Sequence, residues 1–207
     1  MIDNFRKFYN SVDRFFDRRA ISEKIQFSRE IPREDRRKTA GQALVAILPI
    51  ASEFDRRAQL KLIASQQGVG ADGTSVHWEF FFDLPDRRAQ LAAEWKLTWN
   101  ETADRHGKAQ IAITVNPFPP ADSPVRRMAQ EGQLLHRQMV GMWEQELRRR
   151  PTLHHRFRDT DLVMSDFSKQ GLDPSQSEFS LCTGQSSEGR PGWIAQTRDK
   201  SYFAAFA

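Results

Sequence analysis

Residues 75–99 read SVHWEFFFDLPDRRAQLAAEWKLTW, and the alternation within this stretch decides the fold. Val76, Trp78, Phe80, Phe82 and Leu84 recur at every second position, as do Leu91, Ala93, Trp95, Leu97 and Trp99 after the break at Pro85. A period of two places successive side chains on opposite faces of a strand. If residues 85–88 close a four-residue turn, Phe82 faces Leu91, Phe80 faces Ala93 and Trp78 faces Trp95. The two apolar sets then fall on one side, as they must, because a slip of one residue would send each to the wrong face.

The pattern extends outward in both directions. Upstream, Ala58, Leu60, Leu62 and Ala64 suggest a first strand, joined through the glycine-rich residues 68–74; downstream, Ala109, Ile111, Ile113 and Val115 suggest a fourth, joined through a turn at residues 104–107. Residues 55–118 therefore read as a four-stranded antiparallel meander that ends at the prolines of residues 117–120. The string Asp-Arg-Arg-Ala-Gln-Leu occurs at residues 55–60 and again at 86–91, which indicates similar turn chemistry at two strand starts rather than a repeat architecture.

Around the meander, residues 23–31 alternate weakly and predict another strand ending before Pro32, and residues 43–50 form a continuous apolar run that suits a strand buried on both faces, with Pro49 favouring a strand end, while periodicity leaves a buried helix open. Short strands are expected at residues 179–183, 193–197 and 202–206, extending the same sheet. Two helices are expected. Residues 1–20 carry an amphipathic stripe of Ile2, Phe5, Phe8, Tyr9, Val12, Phe15 and Phe16. Residues 122–150 carry Val125, Met128, Leu135, Met139, Met142, Trp143 and Leu147, and this rod, about 40 Å long, is expected to cover the tryptophan face. The fold class is thus α+β: an antiparallel sheet of six to eight strands packed against one long helix, with an N-terminal amphipathic helix, as one domain over residues 1–207, residues 177–207 supplying the last strands.

Composition narrows the functional classes. With 39% hydrophobic and 28% charged residues, the chain suits a globular protein with a real core. One cysteine, Cys182, rules out an intrachain disulfide, and residues 1–7 lack the apolar run of a secretory signal, so the expectation is a cytoplasmic protein with no membrane span. Arginine pairs are frequent, yet most stand beside an acidic residue, and nucleic-acid binding is the least favoured partner class.

The residues that could carry chemistry are few. On the polar face of the meander, the register sets Glu79 opposite Glu94 and His77 opposite Lys96, with Lys61 on the far side of Glu79. Two facing carboxylates beside a histidine can share a proton or hold a metal, whereas a solvated face with paired charges accounts for them without either. His77, Glu79 and Glu94 are the catalytic candidates, and no metal or cofactor is assigned. Trp78, Trp95, Trp99, His136 and Met139 would line an apolar ligand site if helix and sheet enclose space. His154-His155 has no second ligand pair at useful spacing. The glycines of residues 68–73 lack a phosphate-loop lysine and join two strands, so they read as turn residues. The expectation is a non-catalytic binding or assembly protein that engages a protein partner or a second copy through an apolar helix or a sheet edge. An apolar small molecule is the second candidate ligand.

Overall fold

The computed structural model describes residues 25–31, 36–65, 69–98, 108–118, 144–153, 157–174 and 178–206. Its centre is one eight-stranded antiparallel sheet: β1 (Ile25–Ile31), β2 (Gln59–Ser65), β3 (His77–Leu84), β4 (Ala89–Thr98), β5 (Lys108–Pro117), β6 (Ser180–Gln185), β7 (Pro191–Gln196) and β8 (Ser201–Ala205). In space the strands run β1-β5-β4-β3-β2-β6-β7-β8, with every neighbouring pair antiparallel. The register expected for the central hairpin is the one found, with Trp78 opposite Trp95, Phe80 opposite Ala93 and Phe82 opposite Leu91. All six of these side chains are buried.

The doubled string marks a local symmetry about β3. Leu60 and Leu91 both oppose Phe82, one from each side, and Gln59 and Gln90 both oppose Asp83. The two turns are stitched together: the Asp55 carboxylate accepts from the amides of Arg57 at 2.7 Å and Asp86 at 2.9 Å. Asp86 also pairs with Arg57, and the Arg87 guanidinium donates to the Phe54 carbonyl.

Three α-helices accompany the sheet among the described residues: α1 (Ala40–Phe54), α2 (Glu144–Arg149) and α3 (Thr160–Lys169), and a 3-10 turn, Pro85–Arg87, joins β3 to β4. The first overturns the strand expected at residues 43–50. An unbroken apolar run is compatible with either state, and the decision is made at its start. Thr39 accepts from the Gln42 amide at 3.2 Å while the Gln42 side chain accepts from the Thr39 amide at 3.2 Å, a reciprocal capping box that commits the segment to helix. Pro49 sits inside this helix on an exposed position, where water can serve the carbonyl its missing N–H leaves over.

The tryptophan face is covered by α1 and α3. Ala43, Leu44, Ile47 and Ile50 of α1 and Val163, Met164 and Phe167 of α3 join Trp78, Trp95 and Trp193 in one core. Of the expected rod only α2 lies within the described residues, and it sits on the opposite side. Arg148 bonds Asp83 at 3.2 Å, and Asp83 alternates with Phe82 and so projects from the polar face. The expected helix at residues 1–20 lies outside the described residues.

Two tryptophans pin the chain just ahead of each covering helix. Trp78 Nε1 donates to the Lys38 carbonyl at 2.8 Å, and Trp193 Nε1 donates to the Arg158 carbonyl at 2.7 Å. Their rings meet edge to face with centroids 6.2 Å apart although β3 and β7 are three strands apart, a span of about 14 Å in a flat sheet. The sheet is therefore curled around the helices.

One strand departs from simple alternation. A bulge between Leu60 and Leu62 shifts the register, so that Leu60, Ile63 and Ser65 are buried in the core while Leu62 and Ala64 face outward. The bulge also moves Lys61: Ala64, not Lys61, opposes Glu79.

Candidate functional site on the outer face

Alternation that commits Trp78, Phe80 and Phe82 to the core commits His77, Glu79, Phe81 and Asp83 to the outer face of β3. Glu79 lies directly opposite Glu94 of β4, and His77 stands two residues along on the same face. The three side chains converge, with one ligand atom from each lying within 4.8 Å of the others and His77 Nε2 at 3.9 Å from Glu79 Oε1. His77 and Glu79 are half-buried, and Glu94 is exposed.

The backbone beneath His77 is fixed by a buried hydroxyl. Ser75 Oγ accepts from the His77 amide at 3.1 Å, donates to the His77 carbonyl at 3.1 Å and lies 3.0 Å from Ser65 Oγ. The triad thus stands on two paired strands with one member's backbone clamped. Chemically it offers one nitrogen and several carboxylate oxygens, a donor set suited to a divalent cation.

At the other end of the face is a cluster that sequence reasoning missed. Lys61, which the bulge places near Asp83, is 7% exposed, and its ammonium donates to Thr152 Oγ1 at 2.9 Å and to the Arg150 carbonyl at 3.4 Å. Asp83, 4% exposed, accepts from Arg148, which also pairs with Glu144 at 2.7 Å. Gln90, 1% exposed, has neither amide atom bonded among the described residues. Burial pushes the Lys61 ammonium below its ordinary value of 10.5; Asp83 opposes that shift and Arg148 adds to it.

A lysine whose pKa falls on folding holds its proton less tightly folded than unfolded, so stability rises with pH between the lowered value and 10.5. Replacing Lys61 with Met should flatten that part of the profile. Urea unfolding of both proteins at pH 8 and pH 10 checks this, and parallel changes in the two would refute it.

The other candidates are spread widely. Trp78 and Trp95 stand side by side on the opposite face, both 0% exposed. Trp95 Nε1 has no acceptor among the described residues, and the Lys38 ammonium lies 5.9 Å over its ring. Trp99, His136, Met139 and His154-His155 lie outside the described residues. Cys182 is half-buried on β6, and burial raises its thiol pKa, which argues against a reactive thiolate. The glycine loop is a turn: Gly70 donates to the Thr74 carbonyl, and Gly73 holds a positive φ of 75°. Several arginines of the expected basic runs are engaged with acids, among them Arg57 with Asp86, Arg88 with Glu144 and Arg148 with Asp83 and Glu144.

No family model, curated protein or solved structure matches this chain. Among the described residues, no helix is long and apolar enough to cross a membrane.

Proposed function

We propose that this chain is a non-catalytic binding and assembly protein that meets a protein partner through the outward side of α1, and that the partner is a second copy of itself. The observation that carries this reading is the exposure of Val45, at 71%, on a helix without a charged residue from Ala40 to Ser52. Pro49, one turn on, is also exposed, and Leu48 is half-buried. The same exposed stripe carries Gln42 and Ser52 and ends at Glu53, so Val45 and Pro49 form a short apolar patch at its centre. Leu162, at the start of α3, adds a second exposed apolar side chain at 58%.

The want of charge favours self-association. From Gln42 to Ser52 the stripe carries no charge, so that part can meet its own copy across a twofold axis without like-charge repulsion, while it offers an unlike partner little electrostatic selectivity. A sheet edge is the less favoured route. The Gln170 side chain donates to the Phe203 carbonyl at 2.9 Å and accepts from the Phe203 amide at 3.3 Å, so it blocks that position of β8 as an added strand would.

A ridge of a few side chains supports a weak dimer, with a dissociation constant of about 10 µM or above. Sedimentation velocity over a range of concentrations should show monomer and dimer in exchange. Val45→Lys should shift the population to monomer at least tenfold, with an unchanged circular dichroism spectrum, because lysine suits an exposed helical position better than valine does. A wild-type chain that stays monomeric to millimolar concentration would refute the reading.

A further inference from the structure

We propose that His77, Glu79 and Glu94 form a binding site for a divalent transition-metal cation of the zinc type. The site does not depend on the α1 ridge, and the outer face that holds it is the side of the sheet turned away from α1 and α3.

The distances suit such an ion. Ligands about 2.1 Å from a tetrahedral centre stand about 3.4 Å from one another. His77 Nε2 and Glu79 Oε1 are 3.9 Å apart, and all three ligand atoms lie within 4.8 Å. Side-chain adjustments of about 1 Å, well within rotamer freedom, bring all three into the first coordination shell. Water completes the fourth position on the exposed side, where Glu94 stands.

The sheet supplies the preorganisation. Directly opposed residues of an antiparallel pair hold their Cβ atoms about 5 Å apart, and like charges in that position destabilise the pair. A dication between Glu79 and Glu94 would give both carboxylates a shared counter-charge. His77 comes from the same strand as Glu79, and the Ser75 hydroxyl fixes its backbone at both the amide and the carbonyl. Sites built on strands are held more closely than sites on loops.

The donor set selects the class of metal. Imidazole nitrogen favours zinc and its transition-metal neighbours, while calcium and magnesium prefer six or more oxygens or several retained waters. Zinc should therefore bind, and magnesium at equal concentration should not.

The test is isothermal titration calorimetry of the untagged full chain with zinc chloride alone. The expected result is one equivalent bound with micromolar affinity, weakened at least tenfold in Glu94→Gln and in His77→Ala. Glu94 is exposed, so its amide variant should fold normally, and a melting curve confirms it. A second variant, His154→Ala with His155→Ala, should leave binding unchanged. No zinc binding by the wild type, or binding that survives Glu94→Gln and His77→Ala, or binding lost only with the 154–155 pair, would each overturn the assignment. Cobalt substitution supplies an independent readout. Its visible absorption should indicate four or five ligands and vanish in His77→Ala, and an octahedral spectrum shared by both proteins would count against the site.

Discussion

Replacing Asp159 with Ala should destabilise the protein by about 3 kcal/mol, lowering the melting temperature by about 6–12 °C for a chain of this size. The reason is that one carboxylate serves two helices. Asp159 is the N-cap of α3, where it accepts from the Thr160 amide at 2.7 Å. It also reaches across 118 residues to accept from the Gly41 amide of α1 at 2.8 Å, and from the Thr39 hydroxyl at 2.6 Å. The first turn of α1 is then fully accounted for. Thr160 Oγ1 takes the Ala40 amide, Asp159 takes Gly41, Thr39 Oγ1 takes Gln42, and the Thr39 carbonyl takes Ala43.

A typical N-cap loss costs about 1 kcal/mol, and here two helix ends lose an acceptor together with a charge placed at two positive dipole ends. Asp159→Asn loses the charge but keeps one acceptor oxygen for the Gly41 and Thr160 amides, and its NH2 can donate to the Thr39 hydroxyl instead of accepting from it, so it should cost about 1 kcal/mol. The junction leaves no slack. A Cβ on Gly41 would lie 2.4 Å from Asp159 Oδ2, and one on Gly73 would lie 2.5 Å from the Thr160 backbone, whose hydroxyl donates to the Gly73 carbonyl. Chemical denaturation of both Asp159 variants decides the matter. An alanine variant within about 0.5 kcal/mol of wild type would mean that water replaces the carboxylate at both helix ends.

The elements that could be read from the sequence share a property. Each was specified by a local alternation, and within the meander also by a turn that fixed its neighbour. The β3–β4 register followed from Pro85 to Arg88, and with it the juxtaposition of His77, Glu79 and Glu94. The β2 bulge had no such signature, because Ala58, Leu60, Leu62 and Ala64 alternate as well as any regular strand does. For α1 the deciding signal lies at the start of the segment: Thr39 and Gln42 have the spacing of a capping box, whereas periodicity is silent on a run that is apolar throughout. The same holds for α3, where Asp159 precedes Val163, Met164 and Phe167 at helical spacing. The Lys61 cluster could not have been read, since it requires both the bulge and the return of residues 144–153 over the outer face.

That cluster predicts the second large effect. Asp83→Ala should cost about 3 kcal/mol at pH 7, because it leaves buried Lys61 facing only neutral acceptors and the Arg148 guanidinium. The loss has a ceiling that can be tested. A folded variant can always release the lysine proton, which at pH 7 costs about 4.5 kcal/mol for a group with an ordinary value near 10.4. At pH 9.5 the same release costs about 1 kcal/mol, so the penalty for removing Asp83 should shrink toward that figure as the solution becomes alkaline. Arg148 adds little to the imbalance, since its side chain is 40% exposed and can turn to water and Glu144. Removing the lysine together with its partner, as Lys61→Met with Asp83→Leu, should recover most of the lost stability, because apolar groups of similar size need no counter-charge. Urea unfolding of the wild type and of the single and double variants at pH 7 and pH 9.5 gives the six values required. A penalty for Asp83→Ala that is the same at both pH values would show that Lys61 does not feel Asp83, and that the aspartate acts through Arg148 and the docking of α2 alone.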